Sequence, residues 1–363
     1  MNTEQQRIYS LLEDEESRFI FENRLLHNEN NDYLYIHNIV ERCIPESLRQ
    51  KHTELEDELV DILGEHKKNI WIWGAGFYCT EFLRKIVRKA DIDGVRGIID
   101  RNPAKKEVLG IPVYTAEKVD FKAIDCLVIS MVDDNAIHNC MEVAVSKGMD
   151  KDNVVMYKKY VNAGGWIHLA ERQYFEDFVQ YDEGEAFVDA GVLDLYTSFR
   201  FAEECKKRHI SNYKIYAFEP DSISYERCIT IKEQHPEIDI TLVNKGLWSS
   251  DTILHFQETG RGNAKVAEEA GGSDQISVVS LDSYIKEKVT FIKMDIEGAE
   301  MEALKGCQNT IKKYRPKLAI SVYHKKEDII EIPMYIMNLV PDYHYYLRHY
   351  SSNHAETVLY ALP

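Results

Sequence analysis

Three acidic residues close short apolar runs: Asp189 after Ala186-Phe187-Val188, Glu219 after Tyr216-Ala217-Phe218, and Asp295 after Phe291-Ile292-Lys293-Met294. Ligands of open parallel sheets sit just beyond the carboxyl ends of the strands, so these carboxylates could face a single ligand. Their chemistry suits a molecule carrying a cationic sulfonium, an ammonium group and ribose hydroxyls. Gly191 would let the first strand–helix turn approach that ligand closely, and Glu219 is placed to accept from a ribose diol. Proton abstraction has three candidates: Asp295, Glu297 and His324, the last because an imidazole titrates near neutrality. His349 and Tyr350 are further candidates for contacts to an acceptor. Each acid alone also reads as a helix cap or turn former, and Glu300 reads as a first-turn helix acid, favoured by the helix dipole. Asp295 and Glu297 could hold a hard cation, but no ligand spacing argues for one over solvated acids, so no metal is expected.

The elements that must position these residues follow from the alternation of apolar runs with amphipathic stretches, the signature of a parallel α/β sheet. Residues 1–66 read as a helical, acidic segment. Strands are expected at 69–73, 95–99, 126–130 and 154–157, and a second series begins at 186–189. That series continues at 214–218, 238–243, 290–294 and 318–322, ending with 343–348 and 356–361. An added strand pair, 253–257 with 276–281, flanks a glycine-rich stretch at 260–272, and one helix is expected over 299–314. The fold class is α/β with two tandem Rossmann-like domains, at 67–160 and 161–363, after the helical N-terminal segment. The boundary lies near Gly164-Gly165.

The first domain carries a smaller constellation. Trp73 runs into Gly74-Ala75-Gly76, and Asp100 closes the next strand, which fits a nucleotide-binding turn with an acid for ribose. Cys79 stands where a third glycine would. Ile98-Ile99-Asp100-Arg101-Asn102-Pro103 and Gly110-Ile111-Pro112-Val113-Tyr114 resemble the small Rossmann-like domains of sugar-modifying enzymes and sugar acetyltransferases. That resemblance implies a nucleotide or nucleotide-sugar ligand; an empty scaffold is the alternative.

The ordered set Phe187-Val188-Asp189-Ala190-Gly191, Tyr216-Ala217-Phe218-Glu219-Pro220-Asp221, Asn244-Lys245-Gly246-Leu247-Trp248 and Lys293-Met294-Asp295-Ile296-Glu297-Gly298-Ala299-Glu300 resembles the FkbM family of methyltransferases. Arg315-Pro316-Lys317-Leu318-Ala319-Ile320-Ser321 and Glu356-Thr357-Val358-Leu359-Tyr360-Ala361 look like its closing strands. The resemblance implies a methyltransferase-type sheet for the second domain, S-adenosylmethionine as methyl donor and an O-methylated acceptor, a saccharide or sugar-like hydroxyl, as in polysaccharide biosynthesis. It assigns the donor to Asp189, Gly191, Glu219 and Asp295. One position departs from the family's D-x-G-x-x-x-G: Leu195 replaces the second glycine, and its branched side chain is expected to crowd the donor's methionine end. A non-catalytic binding or assembly protein is therefore an alternative. An NAD-dependent sugar-modifying enzyme is a weaker one, because no Tyr-x-x-x-Lys pair follows the first turn.

Bulk properties narrow the partners. A formal charge of −17 over 363 residues repels a phosphate backbone, so nucleic acid is not an expected partner. No apolar run reaches the length of about 18 residues that spans a bilayer, and the N-terminus lacks a signal pattern. The seven cysteines form no C-x-x-C pair, which fits reduced thiols and a cytoplasmic protein. The sequence leaves homo-oligomerisation open.

Overall fold

The computed structural model describes residues 1–64, 68–87, 92–101, 106–131, 133–160, 172–256 and 274–363. Asn102-Pro103, Gly164-Gly165 and the stretch 260–272 lie outside the described residues. The chain divides into two compact units, Met1–Cys43 with His168–Pro363, and Ile44–Ile167.

In chain order, the first unit opens with α1 (Thr3–Leu11), α2 (Glu15–Asn30) and α3 (Leu34–Cys43). Asn2 starts α1 through a capping box with Gln5. Asp14 caps α2 by accepting from Ser17 N, and Asn31 ends α2 in a left-handed conformation.

The second unit comprises α4 (Glu46–Gly64), β1 (Ile70–Trp73), α5 (Phe77–Phe82), β2 (Val95–Ile99), β3 (Glu107–Val108), β4 (Ile111–Tyr114), β5 (Cys126–Ile129), α6 (Asp134–Ser146), β6 (Val154–Met156) and α7 (Tyr157–Tyr160). Its six strands are ordered β3-β4-β2-β1-β5-β6. All neighbours are parallel except the β3–β4 pair. Leu59 and Leu63 of α4 are buried with Ile70, Ile72 and Phe82, and Lys159 Nζ donates to Glu58 at 2.5 Å.

The chain then returns to the first unit with β7 (Glu185–Ala190), α8 (Tyr196–Lys207), β8 (Tyr213–Phe218), α9 (Ser222–Glu233), β9 (Ile240–Val243), β10 (Gly246–Leu247), β11 (Thr252–Phe256), β12 (Asp274–Val279), α10 (Leu281–Tyr284), β13 (Phe291–Met294), α11 (Glu300–Lys305), α12 (Gln308–Tyr314), β14 (Lys317–Ser321), α13 (Asp328–Leu339), β15 (His344–His349) and β16 (Thr357–Leu362). Seven of these strands form one sheet, ordered β15-β16-β14-β13-β7-β8-β9. Only β16 runs antiparallel, to both of its neighbours. Strand order reverses between β7 and β13, so the crevice at their carboxyl ends is a topological switch point. Both strands are buried at every position, as expected of strands covered on both faces. One such cover is α8, whose Ser198, Phe201, Ala202 and Cys205 are buried at helical spacing. Phe201 stacks on Phe187 with ring centroids 4.4 Å apart.

Leu12-Glu13 together with α2 and α3 cover the outer edge of β15, while α1 packs on α13. Leu12 bridges Tyr345, Glu13 N donates to Tyr345 O at 3.0 Å, and Leu347 N donates to Ser17 Oγ at 2.9 Å. Arg348 Nη2 reaches Asp14 Oδ2 at 2.6 Å. An uncovered edge strand is a template for unwanted pairing, and these contacts remove it. The stretch 1–66, expected as one helical segment, is accordingly divided: its first 43 residues belong with the seven-stranded sheet and α4 with the other unit. The helix expected over 299–314 is broken into α11 and α12. Gly306 ends α11, and a Cβ there would lie 1.9 Å from Trp248 O, so glycine is needed at the break for the two backbones to approach. The added strand pair gains a third member, β10, in the order β10-β12-β11.

His349 and Tyr350, expected near the acceptor, are packed into this fold. His349 Nδ1 meets Thr357 Oγ1 at 2.9 Å, and Tyr350 Oη bonds Glu176 at 2.9 Å and Tyr360 at 2.6 Å. Burial, with the Arg24 guanidinium nearby, pushes the His349 imidazole down to about 3. The folded protein therefore keeps it neutral while an unfolded chain protonates it below about 6.5. This histidine's contribution to stability is full above that value and is lost progressively as pH falls towards 3. Urea unfolding at pH 7 and pH 4.5 should show wild type losing about 2 kcal/mol more than His349→Gln on acidification. Equal losses would contradict the assignment.

Candidate functional site

The tips of β8, β7 and β13 lie side by side and carry Glu219, Gly191 and Asp295 in that spatial order. Gly191 has φ +79°, and a Cβ there would lie 2.0 Å from the Asp295 carbonyl oxygen. Glycine is required by both backbone conformation and space.

Beneath the tips sits a buried ion pair. Lys293 and Asp189 are register partners across β13 and β7, with Lys293 Nζ 3.1 Å from Asp189 Oδ1. Ser198 Oγ donates to Asp189 Oδ2 at 2.8 Å. Lys293 also donates to the carbonyls of Ala190 (3.1 Å) and Gly191 (2.8 Å). Burial works against the ammonium, but Asp189 and Asp295 outweigh it and raise its pKa. Asp189, expected to contact a cofactor directly, is 0% exposed and engages Ser198 and Lys293 instead.

Glu219 is buried as well, and both its oxygens accept from backbone N–H groups, Oε2 from Leu193 and Oε1 from Asp221, each at 2.9 Å. Burial raises its carboxyl above the ordinary value despite these bonds. One carboxylate thus pins the β7–α8 loop to the end of β8. Within that loop Leu195 adopts φ +63° and caps α8. Its side chain is wholly buried among Phe187, Phe201 and Val192. The crowding expected of Leu195 therefore does not arise. It takes a backbone conformation in which glycine is ordinary, and the leucine side chain turns into the core.

Asp295 is held by two phenols: Tyr174 donates to Oδ2 at 2.9 Å and Tyr323 to Oδ1 at 3.1 Å. Burial favours its neutral form, but Lys293, His324 and the phenols outweigh burial and keep the carboxyl below its usual range. After Asp295 the chain turns through two left-handed residues, Glu297 (φ +56°) and Gly298 (φ +93°). Glu300 then starts α11 and folds back, its Oε1 accepting from Ile296 N at 2.9 Å. His324, just past β14, lies among these acids. Its Nδ1 is 2.9 Å from Glu300 Oε1, and its Nε2 is 3.5 Å from Asp295 Oδ1 and 3.8 Å from Glu297 Oε2. Burial would lower the imidazole pKa, but Glu300, Asp295 and Glu297 lift it to about 9. An imidazole already protonated at neutral pH is not ready to accept a proton, so the base role expected of His324 does not suit the free site.

Residues 177–348 match the model of the Methyltransferase FkbM domain. That segment is an FkbM methyltransferase domain. A curated relative, the hexuronic acid methyltransferase AglP of Haloferax volcanii, is 32% identical over 104 residues, which cover 27% of this chain and 42% of that protein. The chain thus matches about two fifths of that relative's length. Among solved structures, the methyltransferase FkbM of Methylobacillus flagellatus KT is 17% identical, covering 86% of this chain and 99% of that one, with a TM-score of 0.49. Fibrillarin of Aeropyrum pernix, in complex with S-adenosyl-L-methionine, is 11% identical, covering 53% and 74%, with a TM-score of 0.33.

Several residues at the FkbM site had no role in the sequence reading. Lys293 offered a signal, a charge inside an otherwise apolar strand. Tyr174, Tyr323 and Glu356 offered none, because they converge from separate segments. Glu356 accepts from Gln173 Nε2 at 2.6 Å and lies 3.4 Å from the Tyr323 hydroxyl. Burial and the charge of Asp295 raise its carboxyl to about 7. In the other unit, Gly74 takes φ +107°, Gly76 caps α5, and Asp100 Oδ2 accepts from Ala75 N at 2.8 Å. Asp100 therefore braces the glycine turn. Cys79 is fully buried beneath it.

Removing one member of a buried ion pair strands the other, which typically costs about 3–5 kcal/mol. Lys293→Met should destabilise the protein by that order in urea unfolding. The double variant Lys293→Met/Asp189→Asn should recover part of the loss. A single variant within about 0.5 kcal/mol of wild type would show that the pair is not structural.

Proposed function

We propose that this protein transfers the methyl group of S-adenosylmethionine to a hydroxyl of a saccharide or sugar-like acceptor. The observation that carries the reading is the switch-point crevice in which Glu219 and Asp295 flank Gly191 on adjacent strand tips. The FkbM domain match over residues 177–348 supports the same reaction class, and the partial likeness to a hexuronic acid methyltransferase supports a sugar acceptor.

In this reading Glu219 accepts from the donor's ribose hydroxyls, while Gly191 lets the backbone approach its amino-acid end. Asp189 acts through Lys293, which fixes the carbonyls of Ala190 and Gly191. The sulfonium is held in a basin rich in carboxylates, where an opposite charge is favoured. The acceptor oxygen attacks the methyl carbon as the carbon–sulfur bond breaks. Sulfur keeps the bonding electrons, and the hydroxyl proton passes to Asp295. Because the displacement is in-line, alignment contributes most of the rate. Tyr174 and Tyr323 supply it by fixing both Asp295 oxygens. In the metal-free site, protonated His324 favours the charged forms of Asp295 and Glu297, which face its Nε2 at 3.5 and 3.8 Å. Leu195, buried in the core, leaves the donor's approach open.

Calorimetric titration of the full-length protein should show saturable heat with S-adenosylmethionine and with S-adenosylhomocysteine, and none with NAD. Glu219→Ala should weaken donor binding about 30- to 100-fold, the worth of hydrogen bonds to a charged group. Wild-type affinity in that variant would remove the donor assignment, and absence of heat with either sulfur compound would remove the reading itself.

A further inference from the structure

The ring of His324 is placed as a metal ligand would be. Its Nδ1 side faces Glu300, a wholly buried carboxylate that is itself fixed by Ile296 N. A ligating histidine commonly directs its second nitrogen at such a carboxylate, which sets the tautomer and ring orientation. Neither ring nitrogen makes a well-aligned hydrogen bond, on a side chain only 6% exposed, and Nε2, on the side away from Glu300, has no acidic oxygen closer than 3.5 Å. It points between Asp295 Oδ1 at 3.5 Å and Glu297 Oε2 at 3.8 Å. These separations are too long for hydrogen bonds. The 3.5 Å separation suits donor atoms sharing one cation, since bonds of about 2.0–2.2 Å at octahedral or tetrahedral angles place neighbouring ligands about 2.8–3.6 Å apart, and Glu297 Oε2 lies just beyond that range. Asp295, Glu300 and His324 together form a cluster of metal-ligating side chains. Tyr323 and Tyr174 orient the two Asp295 oxygens from behind, as outer-shell donors do.

We propose that Asp295, Glu297 and His324 bind a divalent transition-metal cation, with Glu300 orienting the His324 ring. The donor set of one imidazole nitrogen and two carboxylate oxygens favours Mn²⁺-like ions over Mg²⁺, which prefers oxygen alone. On binding, the metal displaces the proton at Nε2 to solvent. Three protein ligands leave coordination positions for the acceptor. The role at those positions rests on the methyltransferase reading: the acceptor would present two neighbouring oxygens, as in a vicinal diol or a hydroxy acid. The metal would then make the attacking hydroxyl more acidic, its proton passing to the Asp295 oxygen that does not ligate the metal.

The test uses full-length protein freed of metal by a chelator, titrated with Mn²⁺ and followed by electron paramagnetic resonance. The expected result is saturable loss of the free-ion signal at one ion per chain. Bound Mn²⁺ in the unmodified protein should show coupling to an imidazole nitrogen. His324→Gln should abolish that coupling, and Asp295→Asn should weaken uptake at least tenfold. Glu300→Gln should weaken uptake 10- to 100-fold, the usual effect of losing an outer-shell partner. Absence of uptake, or of nitrogen coupling in wild type, overturns the proposal without reliance on any variant's folding. Calorimetry with S-adenosylmethionine on the same metal-free sample separates the two claims. Donor heat without Mn²⁺ uptake removes the metal site alone, and Mn²⁺ uptake without donor heat removes the methyltransferase reading alone.

Discussion

A buried ammonium holds this site together. Lys293 projects from the middle of the seven-stranded sheet to the seam where strand order reverses, pairs with Asp189 on the adjoining strand, and takes two carbonyls of the turn that follows. Taking both charges out of water costs several kcal/mol per ion before they attract one another. The pair is therefore weak as a source of stability and strong as a constraint on geometry. It fixes where β7 ends and how Gly191 turns. Through the close passage of Gly191 over the Asp295 backbone, it also fixes where Asp295 stands.

Around that anchor the site is built from carboxylates whose partners differ. Glu219 is engaged by backbone N–H groups and ties a loop to a strand tip. Asp295 is held in its charged form by two cations and two phenols. Glu356, close by, is pushed by burial and by Asp295 towards a neutral proton affinity. Environments that separate the pKa values of neighbouring acids are how a single pocket comes to hold groups in different protonation states. His324 sits at the centre of this set, with a carboxylate on one nitrogen and two more facing the other. Its place makes it a binder of a positive charge, whether proton or metal.

The sequence announced the sheet more clearly than the chemistry. Buried parallel strands read as continuous apolar runs, so the strands bearing Asp189, Glu219 and Asp295 were legible, as was their convergence on one crevice. The N-terminal helices were legible as helices, but not as the cover of β15, because contacts from Asp14 and Ser17 to residues some 330 positions away leave no local signature. Leu195 was misread for a related reason. Its departure from the glycine pattern is local, whereas its destination, a core lined by Phe187 and Phe201, is set by packing. Likewise Tyr174, Tyr323 and Glu356 lie on three segments, and only the assembled sheet brings them together beside Asp295.

The most direct test is a crystal structure with bound S-adenosylhomocysteine. The ribose hydroxyls should lie within hydrogen-bond distance of Glu219, the sulfur above Gly191 on the Asp295 side, and Leu195 should stay in the core. A ligand bound away from the β7–β13 seam, or a Leu195 side chain turned into the crevice, would contradict the account.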